Sequence, residues 1–194
     1  MAGRRKLVVM VSSSIYGIEE LLDQIFATLN GFGYKVWMSH KGSIPVNSRL
    51  SNKEICLKAV DECDVFLGLI TGRYGAVVDR SGRSLTHNEV LRAIERNKLR
   101  WFLVHHDVVV ARSLLRQFRF NDAGSRNPLD FKKTPYIDDI RVLEMYEDAI
   151  REELPVDERT GNWAQEFSNN HEVLEFITNQ LSDLGSVRKL LTGQ

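Results

Sequence analysis

The chain has 194 residues, a length that suits a single domain with room for a sizeable apolar core. Its 26 Lys and Arg side chains balance 26 Asp and Glu side chains, so no overall field favours nucleic acid or an anionic membrane surface. No apolar run approaches the ~20 residues of a membrane span. We therefore expect one domain that has neither nucleic acid nor a membrane as its partner.

The two cysteines, Cys56 and Cys63, lie on one predicted helix and are therefore about 10 Å apart along its axis. That separation exceeds the reach of a disulfide. We interpret both as small core residues of a reduced, cytoplasmic protein.

Strand-like apolar runs alternate with amphipathic helical stripes in the first third of the chain. Residues 6–12 predict a buried strand, and the spacing of apolar side chains over residues 18–29 predicts a helix. Residues 34–38 predict a second strand. A capping box of Ser51 and Glu54 then predicts the start of a second helix. This alternation is typical of a parallel sheet built from β-α-β units.

Residues 61–95 combine a strand, a loop and a helix start. The apolar run 65–70 predicts a strand that is buried on both faces. A loop bracketed by two glycines follows at residues 72–75 (GRYG), and Thr86 with Glu89 forms a further capping box. Because open α/β sheets bind ligands beyond the carboxyl ends of their strands, we expect a functional site here.

The alternation changes after the fourth predicted strand, residues 100–104. Residues 107–118 predict one helix, and apolar side chains from position 137 to 154 predict a longer helix that ends before Pro155. Residues 162–167 predict a fifth strand at the sheet edge. A closing helix is expected near residues 173–184, with a frayed tail after it.

These elements predict a three-layer, flavodoxin-like α/β fold whose mainly parallel five-stranded sheet has the order 2-1-3-4-5. We expect residues 1–194 to form one domain. Its parts are core βα units at 6–105, a helical insertion at 106–160 that packs over the late-strand end of the sheet, and the last strand and closing helix at 161–185.

Motifs of several common chemistries are missing from the chain. It has no phosphate loop of the G-x-x-x-x-G-K-[ST] type, and no H-E-x-x-H, paired C-x-x-C or G-x-S-x-G motif. Gly31 and Gly33 follow a helix rather than a strand, which argues against a dinucleotide fingerprint. The His105-His106 pair lacks spaced carboxylate or thiol partners. We therefore expect neither a bound metal nor a cofactor.

Four segments in combination carry a family resemblance: residues 12–17 (SSSIYG), 61–65 (DECDV), 72–75 (GRYG) and 84–89 (SLTHNE). Together they resemble the TIR-like domain-of-unknown-function family that is often the N-terminal module of STAND-type NTPases. That family is similar in fold to TIR domains and to nucleoside 2-deoxyribosyltransferases. The resemblance is strongest over residues 6–105, and we expect this chain to act as a standalone protein.

The resemblance implies a candidate activity. The enzymes related in fold cleave N-glycosidic bonds with a glutamate near the start of the helix after the third strand, and Glu89 matches that position. It therefore implies an N-glycosidase acting on a nucleotide-type small molecule, either an NAD⁺ nucleosidase or an enzyme like the deoxyribosyltransferases, in bacterial defence or signalling. NAD⁺ would then be a substrate. The alternative is a non-catalytic signalling module that self-associates or recognises a partner, such as a STAND-type NTPase.

The residue types suit such chemistry. Release of nicotinamide from NAD⁺ has an oxocarbenium-like transition state and a neutral leaving group, so it needs a carboxylate against the sugar but no strong general acid. Glu89 is the candidate catalytic residue, and the positive end of its helix should keep it ionised at neutral pH. The candidate substrate-binding residues supply hydroxyls for a ribose, a cation for phosphates and rings for a base: Ser12, Ser13, Ser84, Thr86, Arg73, Tyr16 and Tyr74.

Structural roles explain the same residues equally well. Glu89 would serve only as the second member of its capping box, a contact worth about 1 kcal/mol. Arg73 would pair with Asp79 or Glu89, and Tyr74 would pack in the core. Both sets of roles stay open at this level.

Overall fold

The computed structural model describes residues 5–75 and 80–193. Within these residues, one sheet contains five strands: β1 (Val8–Ser12), β2 (Lys35–Trp37), β3 (Val65–Ile70), β4 (Leu99–His105) and β5 (Ala164–Phe167). The strand order is β2-β1-β3-β4-β5, and every pairing is parallel. The predicted α/β fold and strand order are confirmed, and the sheet is wholly rather than mainly parallel.

Helices cover both faces of the sheet: α1 (Glu19–Gly31), α2 (Asn52–Glu62), α3 (Leu85–Glu95), α4 (His106–Arg119), α5 (Arg141–Ala149), α6 (Asn170–Leu181) and α7 (Leu184–Thr192). Two short 3-10 helices, Ser39–Lys41 and Val156–Glu158, lie between these elements. No helix in the described part of the chain is long and apolar enough to cross a bilayer.

The central strand β3 explains why the core has two layers. All six of its residues are buried, as its uninterrupted apolar sequence predicts. Alternate side chains of a strand point to opposite faces, so Phe66 packs with α2, α3 and α5, whereas Leu67 packs with α1 and α6. The strand is therefore held from both sides, and its carboxyl end is a fixed platform for the loop that follows.

The two predicted capping boxes have different outcomes. Ser51 and Glu54 form the expected box at the start of α2. The prediction of a capping box formed by Thr86 and Glu89 is wrong. Ser84 caps α3 instead, and its Oγ accepts a hydrogen bond from the His87 N–H at 3.2 Å. The helix therefore starts two residues earlier than predicted, and Glu89 lies in its second turn, where its side chain is buried.

The later elements also differ from their predicted lengths. The helix predicted across residues 137–154 is limited to α5, and the chain turns at Arg151, whose φ is +54°. The tail predicted to fray forms α7, whose first turn is capped by the carboxylate of Asp183. Burial of Val187 against the α1 and α6 layer holds this helix in place. Both differences come from packing that a local pattern does not contain.

Candidate functional site

A cleft of about 500 Å³ opens beyond the carboxyl ends of β1 and β3, where the chain order of the sheet reverses. The loops after these two strands, the first turns of α3, and Lys133 and Asp138 of the insertion form its walls. Its polar lining includes Ser13, Tyr16, Arg73, Thr86, Glu89, Lys133 and Asp138. Five of the eight residues predicted for the site therefore line one cleft.

Glu89 lies at the floor of the cleft and is 6% exposed. Ser12 Oγ donates a hydrogen bond to Glu89 Oε2 at 2.5 Å, and the Cys56 thiol interacts with the same carboxyl group. Burial, together with the nearby Glu89 carboxylate, raises the pKa of Cys56 to about 12, so the thiol stays protonated as a donor. One side chain from β1 and one from α2 thus bind and orient the carboxyl group that α3 supplies.

Burial raises the pKa of Glu89 to about 7, although hydrogen bonding with Ser12 and Cys56 acts in the opposite direction. The expectation that the helix would keep Glu89 ionised at neutral pH is therefore wrong. Desolvation of the buried carboxylate outweighs the stabilising donors, and both protonation states are populated near pH 7. A carboxyl group perturbed in this way inside a cleft is typical of acid–base and nucleophilic sites.

The loop after β1 supplies hydroxyl groups. Ser13 lines the cleft and its Oγ donates to Ser14 O at 2.8 Å. Ser14 Oγ donates to Arg73 O at 2.6 Å and so joins the loops after β1 and β3. Ser12, in contrast, is 2% exposed, and its hydroxyl is bound to Glu89. The site therefore contains one serine for orienting Glu89 and another, Ser13, within reach of a ligand.

Arg73 and Tyr16 form one side of the cleft mouth. Arg73 Nη2 donates to Pro135 O at 2.8 Å, and its guanidinium carbon lies 6.0 Å from the centroid of the exposed Tyr16 ring. Arg73 makes no ion pair with Glu89, and Asp79 lies outside the described residues. The mouth thus presents a cation and an aromatic ring side by side.

The structure does not bring Tyr74 and Ser84 to the cleft. Tyr74 is 1% exposed, its Oη lies 2.7 Å from His87 Nδ1, and the guanidinium of Arg141 stacks 4.8 Å from its ring centroid. His87 Nε2 in turn lies 2.7 Å from Asp148 Oδ2, which links α3 to α5. Ser84 is fully buried as the cap of α3. Both residues support the wall of the site from behind.

Sequence reasoning missed the residues that the insertion contributes, Lys133 and Asp138. Asp138 N–H donates to Gly72 O at 2.9 Å, and the Tyr74 N–H donates to Asp138 Oδ1 at 2.9 Å. A side chain at Gly72 would place its Cβ 1.7 Å from Tyr136 O. The glycines at both ends of the loop were the sequence signal for this contact, because glycine allows another backbone segment to approach closely. They do not identify which segment approaches.

The histidine pair interacts with carboxylates. His106 Nδ1 lies 2.5 Å from Glu166 Oε1, and His105 Nδ1 lies 3.3 Å from Asp107 Oδ2. Within residues 5–75 and 80–193, no three His, Cys, Asp or Glu side chains are grouped so that they could hold a metal ion.

A comparison with curated proteins finds no match. One family model, described as a domain of unknown function (DUF4062), matches residues 8–182 and so extends from β1 to the end of α6. The match includes the insertion and every residue of the cleft. The suspected family is therefore confirmed, whereas its relation to TIR domains stays a prediction. The chain belongs to the DUF4062 family, a domain of unknown function.

Proposed function

We propose that the protein is an N-glycosidase that acts on a nucleotide, with NAD⁺ as the first substrate to test and Glu89 as the catalytic carboxylate. The observation that carries this proposal is the desolvated Glu89 carboxyl group at the floor of the switch-point cleft, oriented by Ser12 and Cys56. The resemblance to a family whose relatives in fold cleave N-glycosidic bonds points to the same reaction.

The chemistry needs little beyond a positioned negative charge. The bond between the anomeric carbon and the base nitrogen breaks, and the base leaves with the bonding electrons. Ionised Glu89 stabilises the oxocarbenium-like sugar or bonds to it, and water then adds its oxygen to that carbon and releases a proton. Ser13 and Thr86 supply hydroxyls for the sugar, while Arg73 and Lys133 supply positive charge for phosphates.

The variant Glu89→Gln tests the assignment. The amide oxygen can still accept the hydrogen bond of Ser12, so the cleft should persist while the charge is lost. We expect release of nicotinamide from NAD⁺, followed by chromatography, to fall by ~10²-fold or more, as when one positioned electrostatic group is removed. Glu95→Gln is the matched control, because Glu95 is exposed at the end of the same helix. Equal cleavage by wild type and Glu89→Gln would contradict the assignment.

A role in partner recognition is the second candidate, and one observation favours it. Val110, Leu114 and Phe118 follow one another at four-residue spacing along α4, and all three are exposed. Such an apolar stripe is typical of protein contacts. If wild type cleaves no nucleotide under any condition, while Leu114→Glu abolishes an assembly seen by light scattering, this second role is the correct one.

A further inference from the structure

The insertion places a second carboxylate, Asp138, in the wall of the cleft that contains Glu89. Asp138 is half-buried and, among the described residues, makes no ion pair. Its chain neighbour Asp139 differs, because the guanidinium of Arg141 binds it. A carboxylate that faces a cleft without a cationic partner can still accept hydrogen bonds from a ligand.

The local backbone holds Asp138 in a defined position. The Tyr74 N–H donates to its Oδ1 at 2.9 Å, and its own N–H donates to Gly72 O at 2.9 Å. The preceding turn is closed by Thr134, whose N–H donates to Ile137 O at 2.8 Å and whose Oγ1 accepts from the Ile137 N–H at 2.9 Å. Because one carboxylate oxygen and the backbone are fixed, the second oxygen, Oδ2, is preorganised for a ligand.

Charge separates the roles of the residues around the cleft. A carboxylate attracts hydroxyl donors and repels phosphate, whereas Arg73 and Lys133 on the cleft walls attract phosphate. In the proposed reaction Glu89 has to lie against the anomeric carbon of the sugar. The 2′-hydroxyl is bonded to the adjacent carbon, so a second acceptor in the same cleft suits this group.

We propose that Asp138 determines which sugar the site accepts, by taking a hydrogen bond from the 2′-hydroxyl of a ribose. The site then prefers ribonucleotides to 2′-deoxyribonucleotides. This inference rests on the proposed function, because it places the sugar beside Glu89. It assigns to the insertion a direct part in substrate choice, in addition to its packing against the core.

Binding of adenosine 5′-monophosphate and 2′-deoxyadenosine 5′-monophosphate to the full-length Glu89→Gln chain tests the inference by calorimetry. We expect the ribonucleotide to bind about tenfold more tightly or better, the scale of a hydrogen bond to a charged group. Adding Asp138→Asn should bring the two affinities together, since the amide oxygen still accepts from Tyr74 N–H but the amide nitrogen in the place of Oδ2 cannot accept from the hydroxyl. Adding Asp139→Asn is the control and should preserve the preference.

Equal affinities before Asp138 is changed, a preference that survives Asp138→Asn, or failure of both nucleotides to bind would each overturn the inference. The proposed function fails separately, when wild type cleaves no nucleotide although the ribose preference is present. A wild-type enzyme that cleaves both kinds of nucleotide equally well supports the proposed function and contradicts the role of Asp138.

Discussion

At the scale of single residues, the behaviour of the cleft depends on the balance of forces at Glu89. Removal from water favours its neutral form, and the neighbouring Ser12 and Cys56 side chains favour its ionised form. Their sum places its pKa at about 7, so modest changes in these neighbours alter its charge at neutral pH. This balance leads to two predictions.

Replacing Ser12 by Ala should raise the pKa of Glu89 further, because the variant loses a donor that stabilises the carboxylate. If ionised Glu89 performs cleavage, the pH at which the rate rises should move upward by about one unit or more. The dependence of nucleotide cleavage on pH measures this shift. Ser13→Ala is the control, since Ser13 bonds to a backbone carbonyl rather than to Glu89. An unchanged or lowered pH midpoint for Ser12→Ala would contradict the prediction.

Glu89 should also make stability depend on pH. Its pKa is raised from 4.5 in the unfolded chain to about 7 in the fold, so below 4.5 it is protonated in both states. As pH rises from 4.5 to about 7, the unfolded chain ionises while Glu89 in the folded protein stays largely protonated. The free energy of unfolding therefore falls by ~3 kcal/mol. Glu89→Gln lacks this loss, so its stability relative to wild type should rise by that amount in urea unfolding between pH 4.5 and about pH 8. A constant difference across this range would show that Glu89 is not desolvated.

At the scale of elements, the insertion is joined to the core where residues 135–138 cross the loop after β3. The crossing depends on Gly72, because a Cβ there would lie 1.7 Å from Tyr136 O. Arg73 and Tyr74 add hydrogen bonds to Pro135 and Asp138 on either side of the contact. This single crossing therefore forms the wall that carries Asp138.

Gly72→Ala should push this segment away from the loop and destabilise the protein by about 2 kcal/mol, the usual cost of overpacking. The matched control is Gly31→Ala at the end of α1, where no atom beyond its chain neighbours and its own helix backbone lies within 4 Å of the added Cβ. The change there should be below ~0.5 kcal/mol. Urea unfolding compares the two variants. Equal stability of Gly72→Ala and wild type would mean that the segment yields freely.

At the scale of the whole molecule, the insertion packs into the same core as the sheet. Val142, Leu143, Met145 and Ala149 of α5 are buried in one apolar layer with Phe66 of β3. The buried ion pair of Arg119 and Glu147 joins α4 to α5, with Nη1 2.5 Å from Oε1. These contacts make separate melting of the insertion unfavourable.

Hydrogen exchange should therefore show the α5 amides opening only with β3, in one cooperative transition. The exposed residues 121–128 provide an internal control and should exchange much faster. If α5 exchanges as rapidly as these residues, the insertion is not part of the cooperative unit.

The sequence alone determined the sheet, most of its helices and the position of the cleft at the carboxyl ends of the strands. Residues 65–70 were predicted as a buried strand with the bounds that β3 has, and Ser51 and Glu54 form their predicted box. These features depend on neighbouring residues, through alternation, helical spacing and capping. Glu89 was predicted as a site residue from the family resemblance, which implies a glutamate near the start of the helix after the third strand, and α3 is that helix.

Only the tertiary structure decided what surrounds Glu89 and what state its carboxyl group adopts. Ser84 rather than Thr86 caps α3, and the side chain of Tyr74 is buried in the core. Asp138, which lies 64 residues after Tyr74 in the chain, lines the cleft. The raised pKa of Glu89 follows chiefly from burial of its carboxyl group at the floor of the cleft. Burial and long-range contacts arise when distant segments pack together. A local stretch of sequence can mark that such a contact occurs, as Gly72 does, but it does not identify the segment that makes the contact.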